Sequence, residues 1–385
     1  MGSRLFKLPK LFLTMKIAIV CGRDIERARD TDGGSILIRN LAHELRRQGH
    51  GITIYTPSHA SYGGSEQYFL DRIAISQRWG AYFDDGKLHK YDRVYIFHVA
   101  NTFGLFEGNR CPLSRTVLFP MLLGAFYRLF QSVPPEYIRA EKEALKAAHY
   151  IATPSAAEQD VLRDFYHVPK EKIFITRRGY DPSIFKPLLR THIPKDRLDI
   201  VCANALKPQK DQRFFVDLVA TAREYIPEIV IHLAGIGEMN GNAGYGNYAR
   251  ALKREVAERG LTPHFIFHEL LSQSAVNRLM QECHLAFYPS RTETFGKSVL
   301  ESVVTGLPTI VLNDVPAYDE FLEHAYTCIK ITRSATAAFE AIETLRTDPK
   351  RYRALSENGI AIAPRFTWER VVADFLHDSE ARIGS

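Results

Sequence analysis

Short apolar runs alternate along this chain with longer stretches in which apolar residues recur every third or fourth position. The first run, Ile17-Ala18-Ile19-Val20, predicts a buried strand, because a strand covered on both faces has no polar side to alternate with. Leu37, Leu41 and Leu45 then fall on one face of a helix over 35–48, and 52–55 predicts the next strand. Strand, helix, strand is a βαβ unit, whose strands run parallel. Further strands are expected over 93–98, 150–153 and 172–175, with a helix over 155–166. A second series begins at 198–201 and continues through 229–233, 265–267, 285–288 and 309–312. The pattern predicts an α/β chain of two lobes, 15–187 and 198–363, joined by a linker over 188–197 and followed by a terminal segment, 364–385. Within that segment a helix over 367–380 carries Trp368, Val371, Val372 and Phe375 as its apolar face. A length of 385 residues is ample for two cores.

The block Pro289-Ser290-Arg291-Thr292-Glu293-Thr294-Phe295-Gly296-Lys297-Ser298-Val299-Leu300-Glu301 gives this architecture a candidate site. The run 285–288 supplies a strand before it, and Val299, Leu300, Val303 and Val304 supply a helix after it, stopped at Thr305-Gly306-Leu307-Pro308. Glu293 therefore falls in the loop and Glu301 in the helix. A helix beginning near Gly296 turns free backbone N–H groups and its positive dipole end toward the loop, which suits a phosphate. The two carboxylates accept hydrogen bonds from hydroxyls, and phosphate plus polyol is the chemistry of a nucleotide sugar. The glutamate spacing taken alone fits an ordinary strand-loop-helix with surface carboxylates equally well, so the rest of the chain decides.

With its Pro-Ser, its Phe-Gly and the Gly306-Leu307-Pro308 that follows, the block resembles the Glu-x7-Glu signature of the retaining glycosyltransferases of family 4. The resemblance implies the GT-B fold: two Rossmann-like lobes facing a central cleft, with the C-terminal helix returning to the first lobe. The segment from Gly179 to Pro187 is similar to the Gly-x-Asp-xxx-Phe-x-Pro that closes the first lobe in that family. Carried over by position, Glu301 would hold ribose hydroxyls and Glu293 the sugar hydroxyls. Lys210 and the amides near Phe295, Gly296 and Gly34 would hold the diphosphate. Gly33-Gly34, before the helix that Ser35 is expected to cap, resembles the family's Gly-Gly loop. Gly235-Ile236-Gly237 resembles its Gly-x-Gly turn beside the nucleotide. His98 stands at a strand's carboxyl end, where ligands of open α/β sheets gather and where the family carries a histidine near the reacting sugar. Asn101 and Thr102 beyond it would line the acceptor pocket. The catalytic set so implied is Glu293, His98 and Lys210. The match departs at Ala205, which stands where the family has an arginine beside the diphosphate; Lys207 and Lys297 are the cations that could replace it.

The implied reaction moves a sugar from a nucleoside-diphosphate donor, a UDP or GDP sugar, to a hydroxyl of a glycan, glycolipid or small molecule, with no further cofactor. A nucleotide-sugar epimerase of the same fold, and a non-catalytic nucleotide-sugar-binding or scaffolding protein favoured by Ala205, are the competing readings. No metal is expected: Asp30-Thr31-Asp32 spells an Asp-x-Asp but in a βαβ unit near the start, and the 14 histidines are dispersed. Five scattered cysteines without a Cys-x-x-Cys pair suit a reduced, cytosolic protein. The longest apolar run, 117–127, is broken by Pro120 and too short to span a bilayer. The leader, 1–14, fits a tag-like segment or upstream start as well as a basic, apolar arm that touches an anionic membrane from its cytoplasmic side. Residues 1–187 carry 27 Lys+Arg against 19 Asp+Glu, so the first lobe is the basic one, yet no basic and aromatic stripe suits nucleic acid.

Overall fold

The computed structural model describes residues 14–21, 33–56, 79–121, 123–130, 132–235 and 243–383. Strands β1 (Lys16–Cys21), β2 (Gly51–Tyr55), β3 (Arg93–Phe97), β4 (Thr116–Phe119), β5 (Tyr150–Thr153) and β6 (Ile173–Ile175) form one parallel sheet in the order β2-β1-β3-β4-β5-β6. A second parallel sheet joins β7 (Arg197–Cys202), β8 (Glu228–Ala234), β9 (Phe265–His268), β10 (Leu285–Tyr288), β11 (Thr309–Leu312) and β12 (Ile329–Ile331) in the order β12-β11-β10-β7-β8-β9. The apolar runs are buried as expected: every side chain from Ile17 to Val20 and from Leu285 to Tyr288 is inside. Strand order reverses where β1 lies between β2 and β3, and where β7 lies between β8 and β10. A crevice opens at such a reversal beyond the carboxyl ends of the strands, so the loops after β1, β3, β7 and β10 are where each lobe can receive a ligand.

The terminal helix, Trp368–Ile383, packs on the first lobe. Trp368, Val371, Val372, Phe375 and Leu376 are buried, and the Phe375 ring lies 5.3 Å from Tyr95, 5.4 Å from Phe119 and 5.8 Å from Phe174. Arg93 and Glu380 add a 2.6 Å ion pair at the edge. The chain thus crosses between the lobes twice, and the crossings run side by side: the Tyr180 amide donates to Phe366 O at 2.9 Å and the Trp368 amide to Tyr180 O at 3.3 Å. Within the linker expected over 188–197, Leu188 and Arg190 are fastened to the second lobe through Thr305 O, Met280 O and Cys283 O.

Elements outside the sequence expectation include β4, β12 and the helices Pro135–Ala147, Phe214–Ala222, Ala243–Glu258, Gln273–Glu282, Ala335–Thr347 and Pro349–Ile362. One boundary needs correction. The helix after β1 begins at Gly33, so Gly33 and Gly34 form its first turn and Ser35 is buried within it instead of capping it. All five cysteines are buried free thiols. Among the described residues no helix is long and apolar enough to cross a membrane. Leader residues 1–13, Asp30 to Asp32 and Gly237 lie outside the described residues.

Candidate functional site

The reversal between β7 and β10 brings two of the expected residues into contact. Lys210 ends a single turn, Pro208–Lys210, in the loop after β7, and Glu293 lies in the loop after β10. Lys210 Nζ donates to Glu293 Oε1 at 2.5 Å, with side chains only 14% and 9% exposed. Ser290, fully buried, donates to the same carboxylate oxygen at 2.9 Å. A shielded pair of this kind is strongly coupled, and loss of one partner leaves the other charge poorly solvated.

Gly296 forms the hinge into the helix Lys297–Val304. Its φ of +94° is the left-handed region, and a Cβ there would sit 2.6 Å from the Tyr318 ring. Among the described residues no side chain caps this helix, so its first amides are available to a ligand. Phe295 puts its ring into the core, 4.9 Å from that of Phe321, which fixes the backbone at this corner. Glu301 is buried one turn inside the helix and pairs with Lys297. Burial raises its pKa and the Lys297 ammonium acts against that shift.

The turn after β7 owes its position to Gly235. A Cβ at Gly235 would fall 1.8 Å from Asn204 O, so only a glycine lets the end of β8 lie on the Asn204–Ala205 backbone. Ala205 itself is exposed, and Lys207 directly precedes the Lys210 turn.

Arg333, just beyond β12, was not expected from sequence. Its guanidinium donates to Pro289 O and Ser290 O at 2.9 Å each and pairs with Asp211 at 3.1 Å and Asp314 at 2.9 Å. One rigid fork thereby ties together the loops after β7, β10 and β11. Arg291 adds a 2.9 Å pair to Asp211, and its amide donates to Gln209 O at 2.8 Å. Burial raises the pKa of Asp211, against the pull of Arg291 and Arg333.

In the first lobe Gly34 and His98 follow the strands β1 and β3 that flank the other reversal. His98 has φ +76°, an uncommon conformation for a residue with a side chain. Its amide donates to Phe119 O at 2.8 Å, while Nδ1 accepts from the Ala100 amide at 3.2 Å. In the neutral ring this places the proton on Nε2, making that nitrogen a donor. Asn101 and Thr102 are buried and turned inward: Asn101 Nδ2 donates to Phe97 O at 2.5 Å and Thr102 Oγ1 to Val99 O at 2.6 Å. These bonds from their polar groups close the turn after β3.

Beside β5 and β6 the first lobe holds a second buried charge. Arg178 is 8% exposed, burial draws its pKa down to about 10, and among the described residues its guanidinium makes no hydrogen bond. Glu158, fully buried and bonded by Thr153 Oγ1 at 2.7 Å, is pushed by burial up to about 7. Among the described residues no group of three or more His, Cys, Asp or Glu is placed to hold a metal ion.

Two parallel Rossmann-like lobes, each with its reversal crevice, and a terminal helix that returns to the first lobe define the GT-B class. The fold is similar over 96% of the chain to a sucrose-phosphate synthase from Thermosynechococcus elongatus, with a TM-score of 0.76 at 17% identity and 99% of that chain covered. It is also similar to the Anabaena HepE protein solved with UDP-glucose, with a TM-score of 0.70 at 17% identity over 94% of this chain and 100% of that one. The family described as "Glycosyl transferases group 1" matches residues 190–361, and "Glycosyltransferase Family 4" matches 31–184. The chain belongs to glycosyltransferase family 4. Among curated relatives, a D-inositol 3-phosphate glycosyltransferase of Stackebrandtia nassauensis is 26% identical over 257 residues, 64% of this chain and 57% of that protein's length. A probable sucrose-phosphate synthase of Thermosipho melanesiensis is 25% identical over 401 residues, 90% of each.

Proposed function

We propose that this chain transfers a sugar, with retention of configuration, from a nucleoside-diphosphate sugar held mainly by the second lobe to a hydroxyl of an acceptor held mainly by the first. The observation that carries this reading is the meeting of Lys210 and Glu293 at the β7/β10 reversal, beside the uncapped helix that bears Glu301. Glu301 holds the ribose hydroxyls and Glu293 the hydroxyls of the transferred sugar. Lys210, the first amides of the Lys297–Val304 helix and the Gly34 turn hold the diphosphate, with Lys207 and Lys297 as further cations in place of the arginine absent at Ala205. As the bond from the sugar's anomeric carbon to the phosphate oxygen breaks, negative charge collects on the diphosphate, which these donors stabilise once Lys210 has turned to it from Glu293. The acceptor oxygen attacks the same face, and its proton passes to the departing phosphate oxygen. His98 Nε2–H donates to the reacting sugar, and the whole set works without a metal.

UDP sugars are the first donors to test, because the Anabaena protein was solved with UDP-glucose. The acceptor carries an anionic group such as a phosphate. Arg178 supports this, as a desolvated cation at the carboxyl side of β6 whose neighbour Glu158 is only about half ionised at pH 7. Relatives named for D-inositol 3-phosphate and sucrose phosphate point the same way. A thermal-shift panel of UDP, GDP, ADP and their sugars tests the donor site: one diphosphate raises the melting temperature, and Glu301→Ala abolishes that rise. A panel without any response, or a response that Glu301→Ala retains in full, removes the assignment.

A further inference from the structure

The place where the two inter-lobe crossings run side by side holds an open cleft of about 390 Å³, lined by Arg177, Pro364, Arg365, Phe366, Arg370 and Asp374. Three guanidiniums face one carboxylate there. Arg370 is engaged with Asp374 at 3.0 Å, but both side chains are at least half exposed, so water competes with that pair and an incoming anion can replace it at little cost. Arg365 lies 5.5 Å from the Phe366 ring and has no carboxylate partner among the described residues. Arg177 lines this cleft and also meets Glu320 at 3.2 Å.

Glu320 belongs to the second lobe, at the end of the turn Pro316–Glu320 after β11. Its other oxygen accepts from the Ala156 amide at 2.6 Å, the first residue of the first-lobe helix Ala156–Asp164. One carboxylate, only 9% exposed, therefore clasps the lobes together through two first-lobe donors, and one of those donors is shared with the arginine-lined cleft.

We propose that the cleft is a regulatory anion site: a phosphate-class group bound by Arg177, Arg365 and Arg370 competes with Glu320 for Arg177 and so loosens the clasp between the lobes. The site lies on the crossings, apart from the Lys210–Glu293 pair, and does not depend on the assignment of a donor. Because competition is reciprocal, weakening the clasp must strengthen anion binding by the same factor that the anion weakens the clasp.

The test titrates the full chain and its variants with inorganic pyrophosphate by calorimetry, and in parallel with vesicles containing phosphatidic acid by sedimentation. Arg365→Ala/Arg370→Ala is expected to weaken one binding event at least tenfold, with Arg365→Lys/Arg370→Lys restoring part of it. Glu320→Gln is expected to tighten the same event several-fold, and pyrophosphate to raise the radius of gyration in solution scattering of the wild type but not of the double alanine variant. Binding of pyrophosphate assigns a soluble phosphate ligand, whereas vesicle binding alone, lost in the alanine variant, assigns a lipid phosphate. Equal binding by wild type and a folded alanine variant in both arms overturns the site, and an affinity untouched by Glu320→Gln overturns the competition.

Discussion

If Lys210 must serve a diphosphate, it has to leave Glu293, and that exchange can be measured. The two side chains meet at 2.5 Å with little exposure. At an effective dielectric constant of about 20, two charges roughly 4 Å apart attract by about 4 kcal/mol before desolvation is counted. Most of that is regained when the lysine turns to phosphate, so the residual penalty imposed by Glu293 is on the order of 1–2 kcal/mol, or roughly 5- to 30-fold in affinity. Glu293→Gln removes the competing charge while an amide oxygen can still accept from Ser290. UDP should therefore bind this variant more tightly than wild type by calorimetry at fixed salt, even though sugar transfer falls because the sugar's partner has changed. Lys210→Met should bind UDP more weakly, and adding Glu293→Gln to it should recover far less than in the wild-type background. A Glu293→Gln variant that binds UDP no better than wild type would refute the exchange.

Gly235→Ala should lower stability by about 2–4 kcal/mol in urea unfolding, because its new Cβ meets backbone, at 1.8 Å from Asn204 O, and backbone cannot rotate away; an unchanged midpoint counts against the close approach. Arg333→Ala should cost about 1–3 kcal/mol of UDP affinity by releasing three loops at once, and Arg333→Lys should recover little of it, since an ammonium lacks the fork; full affinity in either variant would separate Arg333 from the site. Glu141, held by the Gly124 amide and Tyr166, is pushed up by burial to about 7, from 4.5 in the open chain. A raised carboxyl pKa means that the folded protein binds the proton more tightly. Its contribution is present below about pH 4.5 and lost as pH rises toward 7. Measured against Glu141→Gln, wild type should lose on the order of 2–3 kcal/mol between pH 4.5 and 8, and a flat difference would show that the group ionises freely.

What could be read from sequence, and what could not, follows from the range of the interactions. Strands such as Leu285–Tyr288 were legible because burial on both faces leaves an unbroken apolar run. The helix Pro135–Ala147 was hidden because Glu141 sits on its buried face with Tyr137, Ala144 and Leu145, breaking the apolar stripe. Ile329–Ile331 is too short to show a period, and Thr116–Phe119 merges into the longer apolar run that follows it. In the candidate site, Glu293, Glu301 and Gly296 lie within one local motif, so their order in the chain revealed them. Arg333 acts on loops some 40 residues earlier, at Pro289 and Ser290, and nothing near it in sequence announces that reach. The inward bonds of Asn101 and Thr102 were hidden for a different reason, since sequence does not show when polar residues in a tight turn bond their own backbone.

The returning helix has a consequence for how the protein is made. Tyr95, Phe119 and Phe174 belong to the lobe that leaves the ribosome first, yet the ring that covers them, Phe375, is synthesised some 200 residues after the last of the three. At roughly 5–20 residues per second, that surface waits on the order of ten seconds or more while the second lobe is translated. The second lobe needs no such late segment, because its buried cluster ends at Phe366. The lobe synthesised first is therefore the last to be completed, and during that interval its aromatic face is the part of the nascent chain most exposed to chaperones and to aggregation.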